Sequence, residues 1–202
     1  MEKLNSSGLF PLNSRLIQCR QDAHEGSTTH QTSSRSTAMQ SDLLHTKAPD
    51  SLISIPSIGV DIDVRIAPAT THARATLIET TDAPGFGPPQ HRHQRETEVF
   101  HILQGRYLFE VDGQRIVANV GDTVVARVGS THRFTSIDTK PSRMLVLITP
   151  GLDATAFFSE LREVMAKGKP DPEALQSLGD KWDIEFLGPP LTCPAELKDS
   201  AR

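Results

Sequence analysis

Short segments that alternate apolar and polar residues, separated by turn residues, fill the chain between positions 51 and 149. Nine segments show this pattern: Ser51–Ile55, Val60–Ile66, Ala73–Thr80, Glu98–Leu103, Arg106–Val111, Arg115–Ala118, Thr123–Arg127, His132–Ile137 and Arg143–Thr149. Alternation with a period of two is typical of strands that bury one face. Asp112-Gly113 joins two of these segments and indicates a hairpin, because a type I′ turn needs positive φ at both central residues. The pattern therefore predicts an all-β fold, an antiparallel sandwich or barrel.

Helical patterns follow the predicted strands and do not alternate with them. Asp153 can cap a helix from Ala154 to about Lys167, and Gly168 is placed to end it. Asp171, followed by a proline, can cap a second helix. The later segment Ile184–Leu191 is extended and apolar enough to pack on the β-domain.

The first part of the chain has a different composition from the rest. Ser27–Thr37 has eight Ser or Thr residues in eleven positions and no apolar residue. Such a stretch cannot bury enough surface to offset the entropy lost on ordering. The sequence therefore predicts a disordered Ser/Thr-rich tail at 1–50, a β-barrel at 51–150, and C-terminal helices with an extended tail at 151–202.

Charge and hydropathy argue against several classes of partner. The 202-residue chain has 21 Lys and Arg against 25 Asp and Glu, a net charge of −4, and no run rich in Lys or Arg. We therefore expect no nucleic-acid or membrane partner, because both need concentrated positive charge. The longest uninterrupted apolar stretch among the predicted strands, Met144–Ile148, is far too short for a spanning helix of about 20 residues.

Cysteine usage bears on the compartment. Cys19 and Cys193 lie near opposite ends of the sequence, so a disulfide framework is not expected and two free thiols fit a reducing cytoplasm. Arg15 and Arg20, among many hydroxyl residues, leave mitochondrial import open as an alternative.

Three histidines and one glutamate stand at positions that could meet on one face of the barrel. Residues 85–105 read Gly85-x5-His91-x-His93-x4-Glu98-x6-Gly105, and residues 121–132 read Gly121-x7-Gly129-x2-His132. On an extended strand, His91 and His93 point to the same side because they are two residues apart. Glu98 and His132 each begin a strand after a short reversal. If these faces line one barrel, the four side chains can bind a divalent transition ion and leave coordination positions open.

Two nearby residues fall outside this scheme. Glu96 is a competing carboxylate, but it lies in the turn Gln94–Thr97 and is expected to face solvent. His101 lies on the opposite strand face from Glu98 and has no predicted partner.

These two segments resemble the paired motifs of the cupin superfamily. The first motif is matched at every defining position, and the second at Gly121, Gly129 and His132. The second departs at Arg127, where the family usually has proline, and at Ser136, where asparagine is common. The resemblance covers about 51–158 and is strongest to single-domain cupins grouped with bacterial quercetin dioxygenases.

The resemblance implies a double-sheet jelly-roll barrel with a mononuclear metal in its mouth. Its ligands would be His91, His93, Glu98 and His132. Members of the family use iron, nickel, manganese, cobalt, copper or zinc, and the absence of thiolates favours iron, nickel or manganese here. Cupin barrels commonly pair, so a homodimer is expected, with residues 51–66 and the C-terminal helices as candidate contacts.

The leading functional hypothesis is a dioxygenase that acts on a small phenolic or enolisable compound, such as a flavonol, with dioxygen as co-substrate. In quercetinase-like cupins the ligand glutamate also serves as base, so Glu98 takes that role. Tyr107, Phe100 and Phe134 alternate toward the same interior as Phe109 and could form the pocket wall, although Phe100 and Phe109 also suit the barrel core. The alternatives are a cupin isomerase, decarboxylase or hydrolase, or a non-enzymatic cupin that binds a small molecule.

Overall fold

The computed structural model of the chain describes residues 52–166, 170–194 and 197. The predicted tail at 1–50, Cys19 and Gly168 lie outside the described residues. The β-strands are β1 Leu52–Ile55, β2 Val60–Ile66, β3 Thr76–Asp82, β4 Pro89–His93, β5 Thr97–Gln104, β6 Tyr107–Val111, β7 Gln114–Ala118, β8 Thr123–Ala126, β9 His132–Ser136, β10 Ser142–Thr149 and β11 Ile184–Pro190. The α-helices are α1 Ala154–Met165 and α2 Pro172–Lys181.

The strands form two antiparallel sheets. One sheet has six strands in the order β1-β2-β3-β10-β5-β8, and the other has five in the order β11-β4-β9-β6-β7. The predicted all-β, double-sheet fold with helices after the barrel strands is confirmed. The chain crosses repeatedly between the sheets, so residues distant in sequence line the space between them.

Turn chemistry positions several of these strands. Asp112 and Gly113 have φ of 49° and 77°, as the predicted type I′ hairpin between β6 and β7 requires. Gly105, between β5 and β6, has φ of 76°, and a Cβ there would lie 2.2 Å from the hydroxyl oxygen of Ser142. A side chain at Gly105 would therefore meet both backbone strain and a steric clash.

The third predicted strand is displaced in the structure. The sequence pattern placed it at Ala73–Thr80, whereas β3 runs from Thr76 to Asp82. His72 and Ala73 have positive φ values of 53° and 59°, so the chain turns where the strand was expected to begin. At the other end the strand continues through Asp82, two residues beyond its predicted end, and this residue becomes buried.

Both predicted helix caps are present. The Asp153 carboxylate accepts a hydrogen bond of 3.1 Å from the backbone N–H of Ala156, and Asp171 accepts one from Glu173 at 3.4 Å. Each bond satisfies a backbone donor that has no partner within its helix. The later apolar segment does more than pack on the barrel, because β11 pairs with β4 and extends the five-stranded sheet.

The main hydrophobic core lies between the two sheets and below the helices. Buried side chains from both sheets, including Ile62, Ile102 and Met144, join Phe157 of α1 and Leu178 of α2 in one cluster. Burial of this apolar surface supplies the main stabilisation of the fold. Within the described residues, no helix has both the length and the apolar character needed to cross a membrane.

Candidate metal centre

Four side chains from three strands meet at one end of the space between the sheets. His91 and His93 are on β4, His132 begins β9, and Glu98 lies near the start of β5. One ligand-type atom from each of the four lies within 4.8 Å of all the others. The structure therefore brings together the four residues singled out in the sequence.

Strand register explains why the four side chains converge. His91 pairs directly with His132 across β4 and β9 of the five-stranded sheet. Glu98 belongs to the facing six-stranded sheet, where it pairs with Ile148 and Ala126. The Glu98 carboxylate thus reaches the imidazoles across the interior. A metal ion bound by all four side chains would link the two sheets.

Two of the imidazoles are held by backbone carbonyls through the nitrogen that faces away from the cluster. His91 Nδ1 lies 2.8 Å from the carbonyl oxygen of Pro89, and His132 Nδ1 lies 3.1 Å from that of Ser130. A carbonyl oxygen only accepts hydrogen bonds, so each Nδ1 donates. In the neutral rings Nε2 then carries the lone pair, which is the usual arrangement of metal-binding histidines.

The contacts around Glu98 fit a cation. Glu98 Oε2 lies 2.8 Å from His132 Nε2 and 3.3 Å from His93 Nε2. Because His132 Nδ1 already donates to a carbonyl, a neutral ring would turn its Nε2 lone pair toward a carboxylate oxygen. Two acceptors at this distance need a proton or a metal ion between them. A borderline-soft divalent ion suits a set of three imidazoles and one carboxylate.

The electrostatics of the four groups alone favour a positive charge at the centre. Burial raises the pKa of Glu98, but the charge of His93 and the hydrogen bonds from His132 and His93 hold it well below its usual range. Burial lowers the pKa of His93, yet the carboxylates of Glu98 and Glu96 raise it to about 10. Burial and the neighbouring His132 lower the pKa of His91 to about 3. A bound cation would replace the protons that otherwise balance the carboxylates, so its affinity should fall with decreasing pH.

Glu96 is buried beside this cluster, so the expectation that it faces solvent is wrong. Its side chain is 9% exposed, and its Oε2 lies 3.5 Å from His93 Nδ1. Glu96 has the same strand parity as Glu98 and Phe100, and this signal in the sequence could have placed it on the inner face. With Glu98 it supplies two negative charges, which would balance a divalent ion, and its carboxylate lies beside the outer nitrogen of a ligand histidine.

We predict that Glu96→Gln weakens ion binding without abolishing it. The amide keeps the side-chain shape but removes the negative charge beside His93. Loss of such a supporting carboxylate lowers metal affinity by about 10- to 100-fold. Titration of the metal-free chain with Ni²⁺ or Mn²⁺, followed by calorimetry, measures this change.

Glu185→Gln is the matched control for that substitution. Glu185 lies on β11 beside β4, but it pairs with Arg92 at 2.6 Å and its side chain is 37% exposed. The control should bind the ion as tightly as the wild-type chain. Equal affinities for all three proteins would show that Glu96 does not support the centre.

A largely apolar cavity of about 650 Å³ opens beside the cluster. His91, His93 and Glu98 line it, whereas His132 is not among its lining residues. The remaining walls are mostly aliphatic and aromatic side chains from both sheets and from α1 and α2. Among the described residues that line the cavity there is no Lys or Arg. The arrangement can therefore hold an apolar molecule next to the ligand set.

Of the three residues predicted to form the pocket wall, two line this cavity. Phe100 and Phe134 are lining residues with ring centroids 5.8 Å apart. Tyr107 is fully buried and is not among the lining residues; its hydroxyl donates a 2.5 Å hydrogen bond to Asp82 Oδ2. The polar partner that the Tyr107 hydroxyl needs is therefore a carboxylate, 25 residues away in sequence.

Comparison with known proteins agrees with this geometry. Residues 78–148 match the family model of the cupin domain. The epoxidase atD of Aspergillus terreus is 34% identical over 74 residues, which are 36% of this chain and 23% of that protein. Quercetin 2,3-dioxygenase of Bacillus subtilis is 27% identical over 86 residues, 43% of this chain and 25% of that protein. This chain thus spans about a quarter of the length of either relative.

Among solved structures, KdgF from Halomonas sp. aligns with a TM-score of 0.44 and 18% identity, over 48% of this chain and 84% of that one.

The family match includes all four candidate ligands, and the two sheets have the cupin arrangement. The chain therefore contains a cupin domain with a buried candidate metal site of three histidines and one glutamate.

Proposed function

We propose that this protein is a metal-dependent oxygenase that acts on a small, largely apolar phenolic or enolisable compound, with a flavonol as the model substrate. The observation that carries the proposal is the position of His91, His93 and Glu98 in the wall of an apolar cavity. Both curated relatives are named for oxidations, an epoxidation and a dioxygenation, which supports this reaction class.

The cavity wall also bears on the choice among cupin chemistries. Enzymes that act on phosphorylated or carboxylated compounds generally bind the anion with Arg or Lys. The described lining residues include neither. This favours a neutral substrate whose one ionisable oxygen meets the metal centre, over the anionic substrates of many isomerases and decarboxylases.

The residues that would hold the ion are His91, His93, Glu98 and His132. When bound, a divalent transition ion would act as a Lewis acid that lowers the pKa of a substrate hydroxyl and leaves positions open for substrate and dioxygen. Glu98 both borders the cavity and carries an ionised carboxylate, so it is the group that we assign as base. His132 would be the ion ligand next to Glu98, and the apolar walls exclude water from the reacting atoms.

Oxygen uptake tests this proposal. The full chain would be loaded separately with Fe²⁺, Ni²⁺ and Mn²⁺ and mixed with 3-hydroxyflavone in a dioxygen electrode. We expect uptake with at least one of these ions, because the 3-hydroxyl can ionise at the centre. The matched compound 3-methoxyflavone cannot ionise there and should give none.

Failure to consume dioxygen with any of the three ions, despite bound flavonol, would contradict the oxygenase proposal. Uptake that is equal for the hydroxy and methoxy compounds would contradict the role given to the ionised oxygen. Product analysis by mass spectrometry then distinguishes incorporation of oxygen into the flavonol from simple oxidation.

A further inference from the structure

Asp82 is a buried carboxylate in the wall of the same cavity. It ends β3, has no exposed surface, and belongs to the lining residues. Its Oδ2 accepts hydrogen bonds from the Tyr107 hydroxyl at 2.5 Å and the Thr80 hydroxyl at 2.8 Å. Its Oδ1 is also buried and has no hydrogen-bond partner in the described part of the chain. One oxygen is thus fixed by the protein, and the other is buried without a partner on a residue that lines the cavity.

Burial of an unpartnered carboxylate oxygen lowers the stability of the fold when no ligand is bound. A buried acceptor without a partner loses its hydration and gains nothing in return. No Lys or Arg lies within ion-pair distance of Asp82 among the described residues. Burial accordingly raises its pKa to about 6, against the two hydrogen bonds that lower it. A ligand that donates a hydrogen bond to Oδ1 would remove this cost.

Asp82 and the metal centre lie toward opposite ends of the barrel. On β10, Asp82 pairs with Ser142, whereas Glu98 pairs with Ile148. At 3.3 Å per residue, these two positions are separated by about 20 Å along the strand. The stretch between them is lined by the apolar side chains of Ile78, Met144 and Val146. The cavity therefore has a polar group at each end and apolar walls in between.

We propose that Asp82 Oδ1 accepts a hydrogen bond from a hydroxyl group of the substrate, at the end remote from the metal centre. The substrate class is then an elongated, uncharged, largely apolar molecule with a metal-binding oxygen at one end and a hydroxyl donor at the other. The inference rests on the proposed function only in taking this cavity as the substrate site. Asp82 becomes a specificity-determining residue that selects molecules carrying the second hydroxyl.

Titration of two ligands into the wild-type chain and one variant tests the hydrogen bond to Asp82 Oδ1 without any need for turnover. The full chain as purified, kept anaerobic at pH 8, would be titrated with 4-hydroxybiphenyl and with 4-methoxybiphenyl, in which a methyl group replaces the hydrogen of the terminal donor. A hydrogen bond to a buried carboxylate should make the hydroxy compound bind about 10-fold more tightly. In Asp82→Asn, the amide oxygen can take the bonds from Tyr107 and Thr80, which turns the N–H₂ toward the cavity. This variant should lose or reverse the preference.

Asp61→Asn is the matched control. Asp61 lies near Asp82, on the neighbouring strand β2, and is not among the lining residues of the cavity. The substitution removes the same charge and should leave the 10-fold preference intact. A phenol that bound only at the metal centre would keep its preference in Asp82→Asn, and that result would overturn the inference.

A measurement on the wild-type chain covers the case in which Asp82→Asn fails to fold. In a crystal structure with 4-hydroxybiphenyl, the hydroxyl oxygen should lie within about 3.2 Å of Asp82 Oδ1. Equal affinity of the wild-type chain for the two biphenyls, or a hydroxyl placed elsewhere, would overturn the proposal. Because every readout is binding, a failure of the oxygenase assay would leave these results unaffected.

Discussion

Replacing His132 with alanine is expected to abolish stoichiometric binding of a transition ion and the stabilisation that the ion provides. His132 Nε2 is the imidazole atom closest to Glu98, at 2.8 Å, and the ring is 2% exposed. Without it, three ligands remain and the buried carboxylate loses its main hydrogen-bond partner. An ion at 100 times its dissociation constant stabilises the wild-type fold by about 2.7 kcal/mol.

Thermal unfolding with and without added ion separates this effect from simple destabilisation. For a domain of this size, that energy corresponds to a rise in Tm of about 5–10 °C on adding Ni²⁺ or Mn²⁺. We expect this rise in the wild-type chain and none in His132→Ala, whatever the Tm of the variant without ion. Only the ion-dependent part of the stability tests ligation.

His101→Ala is the matched control, because His101 lies on β5 but turns away from the cluster. Its Nδ1 lies 2.9 Å from the Thr123 hydroxyl oxygen near the surface. The control should keep the ion-induced rise in Tm. The ligand assignment would be wrong if His132→Ala responded to the ion as the wild-type chain does, or if His101→Ala lost the response.

Glu98→Gln is expected to lower the turnover of 3-hydroxyflavone by about 10²- to 10⁴-fold at saturating ion concentration, the contribution typical of a general base. The amide preserves the shape of the side chain but cannot accept the substrate proton. It also removes the charge that faces His93 and His132, so ion affinity should fall as well. Turnover is therefore compared only after elemental analysis has shown equal ion content.

Glu96→Gln distinguishes a carboxylate that accepts the substrate proton from one that only strengthens ion binding. Glu96 neighbours His93 but is not among the residues that line the cavity. Once this variant is saturated with ion, its turnover should approach that of the wild-type chain. Full turnover by ion-loaded Glu98→Gln would remove Glu98 from the role of base, and an equal loss in both variants would show that the charge acts only through the ion.

Much of the fold could be predicted because local rules decide it. The period of two in β5 and β10 follows from burial of one strand face, and the Asp112-Gly113 hairpin follows from the φ values of its turn. The helix caps at Asp153 and Asp171 are equally local. The convergence of His91 and His93 required only that their segment be extended, and it forms β4.

Features that depend on distant partners could not be predicted in the same way. The last strand, β11, exists because it pairs with β4, about 90 residues earlier. The Tyr107–Asp82 hydrogen bond joins two strands of opposite sheets, so the sequence alone predicts Tyr107 in the pocket wall and ends the third strand before Asp82. Glu96 was assigned to solvent because charged turn residues usually are exposed. Its side chain instead lies 3.5 Å from His93 Nδ1, and strand parity with Glu98 was the one local signal for this inner-face position.

Elemental analysis of the full chain, purified without added metal, tests the central claim most directly. Three imidazoles and a carboxylate with ligand atoms within 4.8 Å of one another should retain close to one transition ion per chain, with iron, nickel or manganese foremost and cobalt, copper or zinc as alternatives. The same measurement on His132→Ala should find almost none. A wild-type chain that holds no such ion as purified, and takes up none of the six when each is supplied, would contradict the metal centre and the chemistry built on it.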